Sequence, residues 1–426
     1  MRPGYLKLIT IPLLLAACSE GDTPIPSTTP APASTAPSAE SSGTIPTPRH
    51  MPVEFDCPGD SGDCPALAVV GDEPATLPNG RPSPFRGISD PTIQRDPESA
   101  RLWLAYSRPS IHVTPDGPTT RVESYLAHSD DAGQTWHSDG VLWAAREVTN
   151  PLTGDPGYMD TEVPNFLPAT IDGELFWFGA RLELFVPSGR ALGQRPVTSF
   201  RIRVSVAESP AALATAEAQS LGGAGTAPAW GIDQRLSDLD SSLQHCIAWN
   251  EPALLAEGRT LYLALRCLAL SPAGTPDVTR SPLVVFATEP TGVATSWKWR
   301  YIGQLAGAEE AAELGGRGLT QIDFARSRDG TLLCILTPDD WSAEHGEFVH
   351  YGIRVVELES IAPPALKRHP TGQLLVRAIV TASDQDPLGP GAAAYAPDSE
   401  TGLLLMRRVI SDASLIATVH ATGVHP

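Results

Sequence analysis

A pattern of five related segments limits most strongly what this chain can fold into. Each segment has an apolar run, then a turn with glycine or charged residues, then a second apolar run, which is the signature of a β-hairpin. The segments begin at Asp90, Glu162, Glu251, Gln321 and Gly391. Their second strands are predicted to begin near Leu102, Leu175, Leu261, Leu332 and Leu403. This spacing indicates five similar units along one chain.

Each unit contains more than a hairpin. Third candidate strands follow in "VESYLAHS", "FRIRVSVAES", "LVVFATEP", "YGIRVVELES" and "LIATVHAT", and weaker fourth strands in "GVLWAA" and "RYIGQL". Five units of about four strands predict an all-β fold, a five-bladed β-propeller. A β-sandwich or a solenoid is the rival interpretation. Because the last unit ends after its third strand, we predict that the N-terminal segment "PALAVVG", residues 65–71, closes the last blade.

Helical periodicity is scarce along the whole chain. The best candidate for a short helix is "SPAALATAEAQ", residues 209–219.

The first eighteen residues predict an export signal. Arg2 and Lys7 precede "LITIPLLLAA", an apolar run too short to span a bilayer comfortably. The run ends in "LAAC", which resembles the lipobox of bacterial lipoproteins and implies cleavage before Cys18 and a lipid on its sulfur. An ordinary secretory signal is the alternative. Ser19 follows the cysteine, which by analogy with bacterial sorting favours the outer membrane over the inner one. We therefore expect a cell-envelope location, with the domain in the periplasm or on the cell surface.

The next segment lacks the residues that could form a core. Pro, Ser, Thr and Ala dominate residues 19–50, and such a composition cannot offset the entropy of ordering. We predict three parts: a signal with a lipidated cysteine at 1–18, a disordered tether at 19–55 and a propeller at 56–426. The net charge of −19 argues against nucleic acid and anionic lipid as partners. The membrane contact is then the lipid on Cys18, and we expect a monomer.

Six cysteines fit an oxidising compartment. Cys57 and Cys64 frame the turn-rich "CPGDSGDC", and Cys246 and Cys267 bracket a candidate hairpin, so we predict two disulfides. Cys334 lies in the apolar run "TLLCIL" and is expected to be a buried free thiol. The spacing of the cysteines indicates no zinc site, and we predict neither a metal nor a cofactor.

One short motif has a recognisable pattern. "SDDAGQTW" resembles the Asp-box of sialidases and related propellers, with its matching positions at Ser129, Asp131, Gly133, Thr135 and Trp136. These residue types suit a turn, because the carboxylate accepts backbone N–H bonds, the glycine adopts positive φ and the indole packs inward. The motif falls between the third and fourth predicted strands of the first unit, so we assign it a structural role. "TEPTGVATSW", residues 288–297, resembles a degenerate copy.

Acidic residues stand where the first predicted strands begin. They are Asp90 in "SDPT", Asp160 and Glu162 in "DTEVPN", Glu251 in "NEPALL", and Asp323 beside Gln321 in "TQIDF". In a propeller these strands line the central channel, so their starts meet at one rim. Glycoside hydrolysis needs one protonated and one ionised carboxyl group, and crowding of acids in a partly dry site can separate their pKa values in this way.

This layout resembles five-bladed hydrolases of the arabinanase, xylosidase and invertase type. The resemblance implies Asp90 as base or nucleophile, Glu162 or Asp160 as helper and Glu251 as general acid. "EVPN" departs from the aspartate usual on the second blade. The alternative is a structural role, in which the acids bind backbone N–H groups or pair with arginines near the ends of second strands, namely Arg108, Arg181, Arg266 and Arg407.

Other residues are predicted to contact substrate. Tyr158 and Asp160 lie in a polar loop at the same rim, Trp249 offers a ring for stacking on a sugar, and Gln321 and Asp323 lead the fourth unit. For an exo-sialidase, which uses three arginines on the sialic carboxylate, the candidates are Arg86, Arg108, Arg181 and Arg266.

The leading prediction is a cell-envelope glycoside hydrolase that acts on extracellular glycans. The alternatives are a non-catalytic propeller that binds glycan or protein, and an exo-sialidase.

Overall fold

A computed structural model describes residues 51–59, 62–73, 76–77, 79–114, 117–188, 199–383, 388–411 and 414–426. The predicted signal, Cys18 and the tether up to residue 50 lie outside the described residues. In the described ranges, no helix combines the length and the apolar character that crossing a membrane requires.

The described chain is almost entirely β-structure and forms five sheets in a propeller-like ring. The innermost strands of sheets one to five are Ser89–Arg95, Pro156–Ile171, Ala248–Glu257, Gly318–Arg326 and Gly391–Ala394. Each innermost strand contacts those of the sheets before and after it, and the fifth contacts the first, so the ring is closed. A cluster of buried apolar side chains fills each wedge between neighbouring sheets.

The remaining strands follow outward in each sheet. Sheet one continues with Leu102–Thr114, Gly117–Ser129, Trp136–Trp143 and Val69–Val70. Sheet two continues with Glu174–Pro187, Ser199–Ala207, Ala218–Gly222 and Gln234–Arg235, and Arg146–Thr149 pairs with the other edge of its innermost strand. Sheet three continues with Thr260–Leu268, Leu283–Thr288 and Arg300–Ala306.

Sheet four is the largest of the five. It continues with Leu332–Ser342, Ile353–Ile361, Val376–Thr381 and Val53–Asp56, with Glu347–His350 and Pro364–Leu366 paired to the side. Sheet five continues with Leu404–Ser411, Ser414–Ala421 and Phe85–Gly87.

Helices are short in the described chain. One α-helix spans Ala308–Leu314, and 3-10 turns span Ala211–Ala214, Pro228–Trp230, Leu236–Asp238, Ser241–Leu243, Val278–Arg280 and Ala294–Ser296. The helix predicted at 209–219 is therefore wrong beyond its first turn. Gln219 shows the reason, because its side chain donates to the carbonyl of Trp297 and accepts from the indole of Trp299, each at 2.8 Å. These bonds hold the segment in an extended strand against sheet three.

The last sheet is closed by a different N-terminal segment from the one predicted. Phe85–Gly87 pairs in parallel with Ser414–Ala421 as the outer strand of sheet five. The predicted segment 65–71 instead adds Val69–Val70 to sheet one and makes a single bridge from Ala66 to His420. Because residues 85–87 lead directly into the first strand of sheet one, they reach the neighbouring sheet without a long connection.

One further difference concerns the N-terminal part. Val53–Asp56 forms a strand on the edge of sheet four, although residues up to 55 were predicted as tether.

The predictions for the cysteines are confirmed. Cys57 is bonded to Cys64 and Cys246 to Cys267, while Cys334 is a buried free thiol.

The turn from Ser129 to Trp136 joins sheet one to sheet five. Asp131 accepts hydrogen bonds from the backbone N–H of Thr135 at 2.9 Å and from its hydroxyl at 2.6 Å, and Trp136 is buried. Across the seam, the N–H of Glu400 donates to the carbonyl of Ala132 at 2.8 Å. The turn lies at the periphery and holds the first and last sheets together.

Candidate active site

A β-bulge interrupts each of the five innermost strands, in the middle of the strand in sheet two and near the start in the other four. At each bulge one residue has positive φ, and these residues are Asp90 (48°), Val163 (51°), Glu251 (54°), Gln321 (44°) and Ala392 (48°). This conformation costs a residue other than glycine about 1–2 kcal/mol, and such outliers concentrate at functional sites. A bulge also re-aims its side chain. The five bulges therefore give one ring of equivalent positions, of which sheets one and three carry carboxyl groups.

Glu162 is offset by one position from the other two acids. The bulge residue of sheet two is Val163, so Glu162 corresponds to Ser89 and Asn250, which precede the bulges of sheets one and three. Its charge still contributes to raising the pKa of Glu251. Glu162 thus lies within electrostatic reach of that carboxyl but not at an equivalent place in the ring.

Asp90 is surrounded by groups that favour its ionised form. Gln321 Nε2 donates to Asp90 Oδ1 at 3.0 Å. The Ser107 hydroxyl and the charge of Arg408 also act to lower its pKa, but burial is the larger effect and raises the pKa above its ordinary value. Ser107 Oγ in addition accepts the N–H of Val163 at 2.8 Å, which links the bulges of sheets one and two.

Glu251 has a pKa well above that of an ordinary glutamate. Burial raises its pKa to about 8, and the negative charges of Asp90 and Glu162 act in the same direction, while Arg266 opposes them. Among the described residues no donor reaches Glu251 Oε2. Glu251 Oε1 has one long hydrogen bond, from Asn250 Nδ2 at 3.5 Å, whereas Ser107, Ser89 and Gln321 all bond to Asp90. Of the two carboxyls, Asp90 is therefore the one whose surroundings favour the ionised form.

A buried ion pair backs the site between sheets three and four. Arg266, directly opposite Asn250 in sheet three, lies with Nη2 2.8 Å from Asp339 Oδ2, and both side chains are 0% exposed. Buried charges need such a partner. His350 lies nearby, and burial together with the charges of Arg408 and Arg266 holds its pKa well below 6.5. His350 is therefore neutral at physiological pH.

Small residues on sheet five leave room for contacts across the ring. Its innermost strand reads Gly-Ala-Ala-Ala from Gly391, with Ala392 at the bulge. A Cβ on Gly391 would lie 2.1 Å from Nδ1 of His350, so only glycine fits there. The absence of a long side chain at Ala392 allows Gln321 of sheet four to reach Asp90 of sheet one.

A second polar layer lies two residues past the bulges. Asn165 Nδ2 donates to Asp323 Oδ1 at 2.9 Å and to Thr92 Oγ1 at 3.4 Å, and Asn165 Oδ1 accepts the N–H of Leu254 at 2.9 Å. Asn165 thus joins four of the five sheets near the axis. Burial raises the pKa of Asp323 to about 7. Asp323 is buried and engaged, so the structure gives it a structural position and not the predicted contact with substrate.

The predicted arginines do not converge on one point. Arg86 lies on the outer strand of sheet five and donates to the carbonyl of Ser83 at 2.6 Å. Arg108 pairs with Asp72, and Arg181 donates to Glu183 at 3.3 Å. Arg266 pairs with Asp339 as described above. Each arginine is engaged by its own partner, so the three-arginine site expected of a sialidase is not formed by these residues.

The predicted aromatic contacts are also corrected. Trp249 is 1% exposed, packs edge to face on Phe286 and donates to the carbonyl of Gly222 at 3.1 Å. Strand alternation directs this ring into the wedge between sheets, so it cannot stack on a sugar. Tyr158 and Asp160 are buried near Arg121, whose guanidinium lies over the Tyr158 ring.

Four residues of the site were not found from the sequence: Ser107, Asp339, His350 and Arg408. Each lies on a second strand or on the hairpin of sheet four, and its approach depends on how neighbouring sheets meet. Arg407 illustrates the difficulty, because it donates to the carbonyl of Cys57 at 2.7 Å while the next residue, Arg408, faces the acids. The arginines near the ends of second strands did indicate a basic residue in sheet five, but the prediction named Arg407 and the residue that faces the acids is Arg408.

Two groups of potential metal ligands occur among the described residues. One is Cys57, Cys64 and His420, and the other is His245, Cys246 and Cys267. In each, both cysteines are joined in a disulfide, so neither supplies a thiolate. The rim carboxyls belong to neither group.

No protein-family model matches the chain, and no curated protein matches it. Solved structures do resemble it in fold. A thermostable family-43 glycoside hydrolase is 11% identical with a TM-score of 0.41, covering 79% of this chain and 89% of its own. A family 117 glycoside hydrolase of Zobellia galactanivorans is 12% identical with a TM-score of 0.42, covering 85% of this chain and 92% of its own. A Bacillus subtilis arabinanase is 13% identical with a TM-score of 0.37, covering 79% of this chain and 95% of its own. All three scores are low, so the function has to be inferred from the site.

Proposed function

We propose that this protein is a glycoside hydrolase that acts on extracellular glycans, with each of the five sheets a blade of a five-bladed propeller. One observation carries the proposal. Asp90 and Glu251 occupy equivalent strained bulges of sheets one and three at the same end of the ring, and the charge of Asp90 contributes to raising the pKa of Glu251. Two electrostatically coupled carboxyls in opposite protonation states are what glycosidic cleavage requires.

The roles follow from the surroundings of each group. Glu251, protonated at neutral pH, donates a proton to the leaving-group oxygen. Asp90 is the ionised partner that activates water or attacks the anomeric carbon, and Gln321 and Ser107 fix its orientation. Glu162 supports the proton on Glu251 through its negative charge.

The charges around the pair favour an uncharged sugar as substrate. Asp90, Glu162 and Glu251 meet at the rim, and the buried Arg266 is already paired with Asp339. An anionic sugar would be repelled by the negative charges of Asp90 and Glu162, and the four arginines predicted for a sialidase site are engaged by other partners. We therefore place neutral glycans ahead of sialosides.

The test is turnover of a panel of aryl pentosides, hexosides and sialosides and of natural polysaccharides by the full-length protein. We expect Asp90→Asn and Glu251→Gln each to lower kcat by about 10²–10⁴-fold, the usual contribution of a general acid or base. Glu257→Gln is the matched control, because Glu257 lies exposed at the far end of the same strand.

Full turnover in the two site variants would overturn the assignment. Glycan binding without turnover in all proteins would instead favour the non-catalytic binding module.

The location of the protein is part of the same proposal. A lipid on Cys18 would hold the ring to the outer membrane through the 19–55 segment, without a basic surface. Metabolic labelling with a palmitate analogue, compared between wild type and Cys18→Ala, tests this directly. Label retained in the variant would contradict lipidation at that residue.

A further inference from the structure

A hairpin of sheet four carries two aromatic residues that the proposed chemistry does not use. Its strands, Leu332–Ser342 and Glu347–His350, pair Trp341 with Phe348. The two rings meet edge to face with their centroids 5.0 Å apart, which is a favourable arrangement for aromatic side chains. Both residues are partly exposed. By contrast, Trp136, Trp177, Trp249 and Trp297 are almost fully buried between strands.

Two arginines fix this hairpin beside the candidate acids. Arg408 donates to the carbonyl of Phe348 at 2.6 Å, and the guanidinium carbon of Arg266 lies 4.6 Å from the centroid of the Phe348 ring. The positive charge of Arg408 lowers the pKa of Asp90, and that of Arg266 lowers the pKa of Glu251. The two arginines therefore link the hairpin to both carboxyls.

Phe348 and Trp341 differ in what covers them. The Phe348 ring contacts the guanidinium of Arg266 on one side and the indole of Trp341 on another. Neither ring belongs to an apolar cluster between the sheets. Trp341 is partly exposed, and its indole Nε1 is buried without a hydrogen-bond partner among the described residues. Packing of the apolar clusters therefore does not account for an indole at position 341.

We propose that Trp341, supported by Phe348, forms a binding subsite for a sugar ring of the substrate next to Asp90 and Glu251. The inference rests on the proposed function and deepens it. The C–H face of a sugar ring is apolar, while its edge carries hydroxyl groups, so a flat indole at a wet rim suits it. An aromatic side chain also offers this surface at a small cost in conformational entropy.

The test compares Trp341→Leu with Trp103→Leu in the full-length protein. Trp103 is likewise partly buried, but it lies at the other end of sheet one, where its ring packs on His128 at 5.7 Å. Binding of arabino-, xylo- and gluco-oligosaccharides is followed by intrinsic fluorescence, and kcat and KM are measured for any aryl glycoside that is hydrolysed. We expect Trp341→Leu to weaken binding and to raise KM about tenfold, with kcat nearly unchanged because the contact is equal in ground and transition states. Trp103→Leu is expected to bind as wild type.

The outcomes separate this inference from the proposed function. Equal affinities of the two leucine variants for every oligosaccharide, or no oligosaccharide binding by wild type, would overturn the subsite. Binding that depends on Trp341 in a protein without turnover would support the subsite and contradict the hydrolase. If Trp341→Leu does not fold, Trp341→Phe decides, since it keeps a ring and is expected to retain most of the affinity.

Discussion

Glu251 gives the most specific expectation at the scale of single residues. Its pKa of about 8 means that the acid form is lost as pH rises through that value. We expect kcat/KM to fall above about pH 8, while protonation of Asp90, whose pKa is also raised, gives the fall on the acidic side. The pH dependence of kcat/KM for a glycoside that the protein hydrolyses measures the fall on both the acidic and the alkaline side. Activity that still rises at pH 9, or an unchanged alkaline limb in Glu251→Gln, would contradict the assignment.

Asp323 links pH to stability. Its folded pKa of about 7 lies above the ordinary value of 3.8, so the folded state binds the proton more tightly. The stability from this carboxyl is complete below about pH 4 and is lost as pH rises through 7. We expect Asp323→Asn to gain stability relative to wild type between pH 5 and 8, by a few kcal/mol at most.

Urea unfolding at pH 4.5, 6 and 8 measures this effect. Asp329→Asn is the control of opposite sign. Hydrogen bonds from the side chains of Ser327 and Thr331 lower the pKa of Asp329, so its contribution is present at neutral pH and lost on acidification. A constant difference between Asp323→Asn and wild type across the range would show that Asp323 does not titrate in the folded state.

At the scale of elements, one disulfide is placed where it can position the acid. Cys267 is directly opposite Trp249, two residues before Glu251, and is bonded to Cys246. We expect the double substitution of Cys246 and Cys267 by serine to cost about 3 kcal/mol of stability and to lower turnover as well.

The Cys57–Cys64 disulfide is the matched control for that experiment. It closes a short loop directly after Val53–Asp56, the outer strand of sheet four, and its loss should reduce stability with little effect on kcat at 25 °C. Thermal unfolding and turnover are measured for both double variants. Equal turnover losses in the two would show that the effect is general destabilisation.

The elements were largely predictable, and the reasons are local. The alternation of apolar residues located the five hairpins, because a half-buried strand has a period of two. The sequence does not show whether the side chains of Trp249 and Arg407 point toward the channel. A one-residue shift at a bulge reverses the direction of every side chain that follows. The same cause placed Val163, and not Glu162, in the ring of bulge residues.

At the scale of the whole molecule, the seam between sheets five and one is the place where the ring is joined. Gly133, with φ of 92°, approaches sheet five so closely that a Cβ would lie 2.7 Å from Ser399 Oγ. Gly140 has nearly the same φ, 94°, but open space around it. We expect Gly133→Ala to cost about 1–3 kcal/mol more than Gly140→Ala, as measured by urea unfolding. Equal losses of unfolding free energy in the two variants would mean that sheet five moves away from residue 133 without strain.

Closure of the ring was the part of the fold least accessible from the sequence. The chain before Asp90 offers several short apolar segments, and the pairing of Phe85–Gly87 with Ser414–Ala421 depends on contacts between residues more than 300 positions apart. The site shares this dependence. Asp90, Glu251 and Gln321 were found because they begin strands, whereas Ser107, Asp339 and Arg408 reach the rim only when the sheets are assembled.

The central claim, that Glu251 is the proton donor of a glycoside hydrolase, is tested most directly by the leaving group. The 2,4-dinitrophenolate leaving group of an aryl glycoside departs without protonation, whereas the methoxide leaving group of a methyl glycoside of the same sugar has to be protonated. We predict that Glu251→Gln loses about 10²-fold or more of its turnover on the methyl glycoside but little on the dinitrophenyl one, while Glu257→Gln loses neither. Equal losses on both substrates, or no loss on either, would contradict the account.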